Sequence, residues 1–188
     1  GEGSRLDKVG GEIKWNAWAH SRRHMIGDGQ IQFSAAQTDQ RFSMSLATSP
    51  SPYMGGVNVS VYFLNNGKVQ VREAGQVKAQ VHGGNTSLYT TSDVFTVKRK
   101  AGVVSFLKNG QLMYESTEVL NDDVVAVGSF IDLGAVKDVV WTGAELRGDA
   151  DEDGLPDVIE QQMIDADAND ALNTLAEVLP EDDFDGDG

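Results

Sequence analysis

The sequence predicts a mainly β chain: an antiparallel β-sandwich followed by a short, acidic, α-helical appendage. Three observations carry that expectation. Short runs alternate apolar and polar residues with a period of two, Gly- and Asn-containing pairs separate those runs at hairpin spacing, and the excess of acidic residues is confined to residues 149–188.

In chain order, residues 1–11 read Gly-Glu-Gly-Ser-Arg-Leu-Asp-Lys-Val-Gly-Gly, and their glycines and weak hydrophobicity predict a flexible leader. Residues 12–148 read as the sandwich. Expected strands are Gln30 to Ser34, Arg41 to Ala47, Val57 to Phe63, Lys68 to Val71, Val94 to Lys98, Val103 to Leu107, Gln111 to Tyr114, Val124 to Ile131 and Lys137 to Trp141. Asn66-Gly67, Ala101-Gly102 and Asn109-Gly110 sit between consecutive runs, where two residues of positive φ close a hairpin most easily. Many short strands at this spacing, with no helical period among them, fit two stacked antiparallel sheets. Residues 149–188 form the appendage. In it Val158, Ile159, Gln162 and Met163 share one helical face, and Leu172, Leu175, Ala176 and Leu179 share another before Pro180 ends the second helix.

Charge divides the chain the same way. The net charge is −14, yet residues 149–188 hold 15 of the 29 acidic residues and no Lys or Arg, which leaves the body near neutrality. Such a chain offers no cationic face to a phosphate backbone, so nucleic acid is not an expected partner. The basic cluster Lys98-Arg99-Lys100 is expected as a solvated strand end. Cysteine is absent, which excludes disulfides and thiolate metal sites. No run of 18 apolar residues is present, so no membrane-spanning helix is expected. The chain begins without Met, as a trimmed or mature form would.

The stretch whose spacing carries chemistry is residues 149–160, Asp-Ala-Asp-Glu-Asp-Gly-Leu-Pro-Asp-Val-Ile-Glu. A calcium loop of the EF-hand type places oxygen ligands at positions 1, 3, 5, 7 and 9, Gly at 6 and a bidentate carboxylate at 12. Asp149, Asp151 and Asp153 fill the first three positions, and Gly154 makes the turn. Leu155 offers its carbonyl, Asp157 stands at position 9 and Glu160 at position 12. Six carboxylates within this loop repel one another unless a cation lies among them, whereas a merely solvated acidic run has no reason to hold Gly and Glu at those two positions. A second set, Asp183, Asp185, Gly186 and Asp187, supplies the opening of another loop, and the missing later positions suggest a piece of a longer, multidomain chain. Asp165, Asp167 and Asp170 offer a weaker third set, which lacks the Gly and the final Glu and reads equally as a helix end with a cap for the next helix.

Two resemblances follow from these residues. Gly67 to Gly75 (Gly-Lys-Val-Gln-Val-Arg-Glu-Ala-Gly), Asp93-Val-Phe-Thr-Val97 and Gly102-Val-Val-Ser-Phe-Leu-Lys-Asn-Gly110 resemble bacterial lectin-like modules of the concanavalin A-like type. That resemblance implies a jelly-roll sandwich over residues 12–146 and carbohydrate as the first ligand to consider. From Asp149 the chain resembles the calcium-binding, thrombospondin type 3-like repeats of bacterial surface proteins, since Val139-Val140-Trp141-Thr142 reads as strand where a true EF-hand has a helix.

Other chemistry is poorly supplied. His20, His24 and His82 are the only histidines; His20 and His24 stand at i, i+4 in a segment expected as β, and without a third ligand or a Glu partner that pair is not expected to bind zinc. No nucleophile elbow or phosphate loop occurs. A glycoside hydrolase needs two carboxylates facing across a cleft, whereas the body's acidic residues are scattered, with Asp122-Asp123 as an adjacent pair in an expected loop. Trp15, Trp18, Tyr53, Tyr62, Tyr89 and Trp141 include candidate sugar platforms, although aromatics in a sandwich more often build the core. Trp15 and Trp18 would lie on opposite faces of a strand, one buried and one available. The loop of residues 49–56 sets turn residues beside Tyr53 and reads equally as a binding rim or a plain connection.

The expectation is therefore a non-enzymatic, extracellular, Ca2+-binding module for binding or adhesion, with carbohydrate or a cell-surface or matrix partner as ligand. A calcium-rigidified spacer or filament subunit is the first alternative, and a glycoside hydrolase or its accessory domain the second.

Overall fold

The computed structural model describes residues 4–15, 17–21, 24–48, 59–80 and 88–147, with the side chains of 79, 80 and 144–147 outside that description. Twelve strands are described: β1 Ser4–Lys8, β2 Ala17–His20, β3 His24–Ala35, β4 Phe42–Ala47, β5 Val59–Phe63, β6 Val69–Glu73, β7 Gln76–Gln80, β8 Phe95–Lys100, β9 Val103–Lys108, β10 Gln111–Val119, β11 Val125–Phe130 and β12 Gly134–Arg147. They form two six-stranded sheets, ordered β1-β12-β3-β8-β9-β10 and β2-β11-β4-β5-β6-β7. Every pairing between strands is antiparallel. The expected two-sheet sandwich is thus the architecture, and no helix occurs among the described residues.

The alternation that marks the strands also fills the space between the sheets. Ile31, Phe33 and Ala35 of β3 and Phe95 and Val97 of β8 face Phe42, Met44 and Leu46 of β4 and Val59, Val61 and Phe63 of β5 across a single core. Aromatic rings dominate its centre. Phe63 stacks on Phe42 with centroids 4.2 Å apart, and it meets Phe95 and Tyr89 edge-on at 4.7 and 5.1 Å. Each such ring contributes about 1.5–3 kcal/mol through burial alone.

Hairpins set the register. Asn109-Gly110 and Ala101-Gly102 have positive φ at both residues, the geometry of the two-residue turn that matches strand twist. Ala74-Gly75 repeats it between β6 and β7, a hairpin that no Asn announces in the sequence. The long strand β12 carries a register shift between Lys137 and Val140, and Asp138 inside it takes a φ of 55°, which marks a bulge.

Three strands go beyond the sequence expectation. Ser4–Lys8, placed by sequence in a flexible leader, pairs with β12. Its Leu6 is the one apolar side chain in the strand, so the usual alternation is missing. Strand β2 is four residues long, and β7 is a polar edge strand. The cluster Lys98-Arg99-Lys100 also differs from a solvated strand end: Lys98 and Lys100 are exposed, while Arg99 between them points inward and is buried. Its guanidinium donates to the carbonyls of Gly27 at 2.6 Å, Met25 at 3.0 Å and Asp122 at 2.5 Å, closing one end of the core with a cation held by three backbone carbonyls.

Candidate functional site

The outer face of the second sheet differs from an ordinary solvated face. Pairing across β2, β11, β4, β5 and β6 aligns two rows of outward side chains. One row is Trp18, Ser129, Ser43, Tyr62 and Gln70; the next is His20, Val127, Ser45, Ser60 and Arg72. Ser43, Ser45, Ser60 and Ser129 are buried, so β4 and β5 are enclosed on both faces. The small hydroxyls make a floor, and the large residues stand at its margins.

Long-range polar contacts build one margin. Lys8 is buried, and its ammonium donates to the carbonyls of Ile131 at 2.8 Å, Glu12 at 2.9 Å and Lys14 at 3.1 Å. These bonds draw the connection between β1 and β2 against the sheet. Trp15, at the end of that connection, then lies on Tyr62 with ring centroids 5.6 Å apart. Arg72 covers the same tyrosine, its guanidinium carbon 4.4 Å from the ring centroid, and it is held in place by Gln70. Burial raises the Tyr62 phenol above its ordinary value against the opposing charges of Arg72 and Arg41, so at neutral pH it stays protonated. Arg41 is fixed in turn by a two-bonded pair with Asp132, at 2.9 and 2.8 Å, and its backbone N–H donates to the same carboxylate. The hydrogen bond from Arg41, with its charge, lowers the Asp132 carboxyl below its usual range despite burial.

The other margin is open. Trp18 is 41 % exposed, and His20 stacks against it with centroids 5.5 Å apart and planes 23° from parallel. Both stand on β2, the edge strand, beside the serine floor. Trp15 and Trp18 do not divide between two faces, as strand alternation would require, because β2 begins at Ala17 and Trp15 precedes it in a bend. Trp15 is half-buried and Trp18 is the available ring.

The remaining candidates have different fates. Tyr89 is in the core, and its hydroxyl donates to the Gln37 carbonyl at 3.2 Å. Trp141 packs against the core from β12, and its indole N–H is buried with no hydrogen-bond partner among the described residues. His20 and His24 lie on different strands, and among the described residues no group of three His, Cys, Asp or Glu is placed to hold a metal. Tyr53, the loop of residues 49–56 and His82 lie outside the described residues. So do all the proposed calcium ligands: Asp149, Asp151, Asp153, Leu155, Asp157, Glu160, Asp183, Asp185 and Asp187.

Besides Arg99 and Lys8, sequence reasoning missed two buried carboxylates. Glu73 ends β6 at 1 % exposure and reaches the first sheet, where it accepts from Ser116 Oγ at 2.6 Å, Thr117 N at 3.1 Å and Tyr114 OH at 3.3 Å. Burial alone would raise this carboxyl. Those three donors and the charge of Lys78 outweigh burial and bring it below its ordinary value. Asp93 behaves alike: burial is outweighed by Thr90 N–H, Lys108 and Asn109, and the carboxylate joins the β8 and β9 ends. Both residues lock structure together, and nothing local in the sequence separates them from solvated acids.

Fold and face together define a two-sheet antiparallel β-sandwich with one aromatic step open at a sheet edge. No family model matches the chain, and no curated protein matches it. Among solved structures it is similar to the SPRY domain of human HERC1, at 15% identity and a TM-score of 0.49, covering 76% of this chain and 90% of that one. It is also similar to the TRIM65 PSpry domain, at 12% identity and 0.49, covering 69% and 72%. A tetrameric galectin from the ball sponge Cinachyrella sp. is similar at 14% identity and 0.44, covering 69% and 97%.

Proposed function

We propose that this chain is an extracellular, non-enzymatic binding module of the concanavalin A-like jelly-roll type, which takes carbohydrate at the Trp18–His20 step and binds Ca2+ in residues 149–160. The observation that carries the reading is the exposed indole of Trp18, backed by His20 beside a floor of serines. An exposed indole offers a flat apolar face for the C–H side of a sugar ring, and adjacent polar groups can take its hydroxyls. Against hydrolysis stands the state of the carboxylates whose titration is shifted. Asp7, Glu73, Asp93 and Asp132 are all lowered, the opposite of what a general acid requires. For calcium, the support is the spacing of six oxygen ligands and one glycine, which suits a flexible seven-oxygen shell better than the octahedron of magnesium.

A glycan array probed with the full chain, with and without calcium, tests this. The expected result is retention on a defined set of glycans, weakened by about two- to tenfold in Trp18→Ala, since stacking on an exposed ring contributes about 0.5–1.5 kcal/mol. Retention unchanged by Trp18→Ala would remove the site. Retention of no glycan at all would leave the spacer reading, which needs calcium but no ligand.

A further inference from the structure

The stack at the free edge of β2 decides which nitrogen of His20 carries the proton. His20 and Trp18, two residues apart on the strand, project the same way and stack with planes 23° from parallel. Nδ1 of His20 lies 3.0 Å from the carbonyl oxygen of Ser21. A backbone carbonyl can only accept, so Nδ1 is the donor. The single proton of the neutral imidazole is thereby committed, and Nε2 is left as a bare acceptor. Ser21 is the one hydrogen-bond partner of the His20 ring among the described residues, and His20 is exposed. Across the ladder β11 sets Val127 opposite His20, with Gly128 and Ser129 beyond it, and none of these titrates. Among the described residues no carboxylate pairs with the ring. The charge of Asp123, ahead of β11, acts on Arg99, and His24 stands on β3.

We propose that His20 sets the class of sugar admitted at the Trp18 step: uncharged rings that present a hydroxyl to Nε2, with carboxylate-bearing rings turned away while the imidazole is neutral. This rests on the carbohydrate reading and deepens it. A hydroxyl can donate to Nε2, whereas an ionised carboxylate has acceptors alone and meets the Nε2 lone pair with its own. Protonating the imidazole puts a second N–H at that position. A hydroxyl then rotates and accepts, so uncharged sugars keep their place, while a carboxylate gains a charge-assisted bond that it lacked. The imidazolium also stays on Trp18, because a cation over an indole face is attracted to it. Acidity therefore widens the class of ligand through one atom.

The first measurement needs no ligand. Nitrogen NMR of the full chain with labelled histidine reads the tautomer of His20 directly. A proton on Nδ1 is expected at about pH 8, and a proton on Nε2 would overturn the proposal while leaving the carbohydrate reading standing. The second measurement uses an array that pairs uncharged glycans with their uronic acid counterparts, at about pH 8 and about pH 5, either side of the ordinary histidine range. In the wild type the ratio of acidic to uncharged retention is expected to rise by about tenfold on acidification, as one charge-assisted bond at an exposed site would give. His20→Phe keeps a ring on Trp18 without a nitrogen, and its ratio is expected to rise by less than about twofold. Loss of negative charge elsewhere in the chain acts on both proteins alike, so the variant corrects for it. An equal rise in wild type and His20→Phe overturns the role of His20 alone. Retention of no glycan by the wild type at either pH overturns this inference together with the carbohydrate reading.

Discussion

Replacing Glu73 should weaken the sandwich more than any exposed carboxylate could. Glu73 sits at the end of β6 in one sheet and is held by β10 of the other, so its hydrogen bonds cross the core boundary. Bonds to a charged acceptor contribute about 1.5–3 kcal/mol each, and two of these, at 2.6 and 3.1 Å, are well formed. Desolvating the carboxylate costs part of that. Breaking such a buried arrangement from one side leaves donors unpaired, and Glu73→Ala is therefore expected to cost about 3–5 kcal/mol. Glu73→Gln keeps the shape but turns an amide toward Thr117 Oγ1 or Lys78, at about 1–2 kcal/mol. Urea unfolding measures both. With a slope of about 1–3 kcal/mol per molar, the alanine variant's midpoint falls by roughly 1–5 M. Because the folded carboxyl is lowered, its contribution is full above the ordinary glutamate value of about 4.3 and is lost as pH falls through the depressed value. The gap between wild type and Glu73→Gln should accordingly close on acidification. A cost below about 0.5 kcal/mol for Glu73→Ala, the range of ordinary surface substitutions, would refute this account.

Two further expectations follow. Ala101 holds a φ of 48° in its hairpin, a region where alanine is strained and asparagine is tolerated, so Ala101→Asn should stabilise by about 0.5–1 kcal/mol in thermal unfolding; a lower Tm would mean that the turn is held by something other than its backbone geometry. Calorimetric titration of the full chain should show calcium binding that Glu160→Gln weakens by about tenfold or more, since position 12 supplies two of the oxygens. Unchanged affinity in that variant would sink the ligand assignment.

The parts legible in the sequence are those decided locally. Val59, Val61 and Phe63 alternate with Ser60 and Tyr62, and Asn109-Gly110 closes a hairpin, so strand and turn are visible in a few residues. The face was only half legible. Ser43, Ser45 and Ser60 read as solvent-facing, yet all three are buried, because what lies over a sheet is decided by distant segments. Strand β1 shows the same limit: Ser-Arg-Leu-Asp-Lys has almost no alternation, and it is a strand because β12 offers it an edge. Arg99 and Glu73 were invisible as core residues, since their partners lie 21 to 74 and 41 to 44 residues away. The Trp18–His20 step needed β2 to be recognised, and Ala-Trp-Ala-His is too short for a period to emerge.

The pairing of β1 with β12 has a mechanical consequence. Ser4 lies opposite Val139 and Lys8 opposite Gly134, so the chain enters and leaves the described sandwich travelling along neighbouring antiparallel strands. Tension applied between the segment before Ser4 and the segment after Arg147 therefore does not shear the whole ladder at once. It peels β1 from Ser4 inward, loading a few hydrogen bonds at a time, because the bonds lie across the strands and the pull reaches them in sequence. Under load the first event is a lengthening by the few residues of β1, with the aromatic core and the Glu73 tie still closed. A tether built this way yields slightly before it breaks.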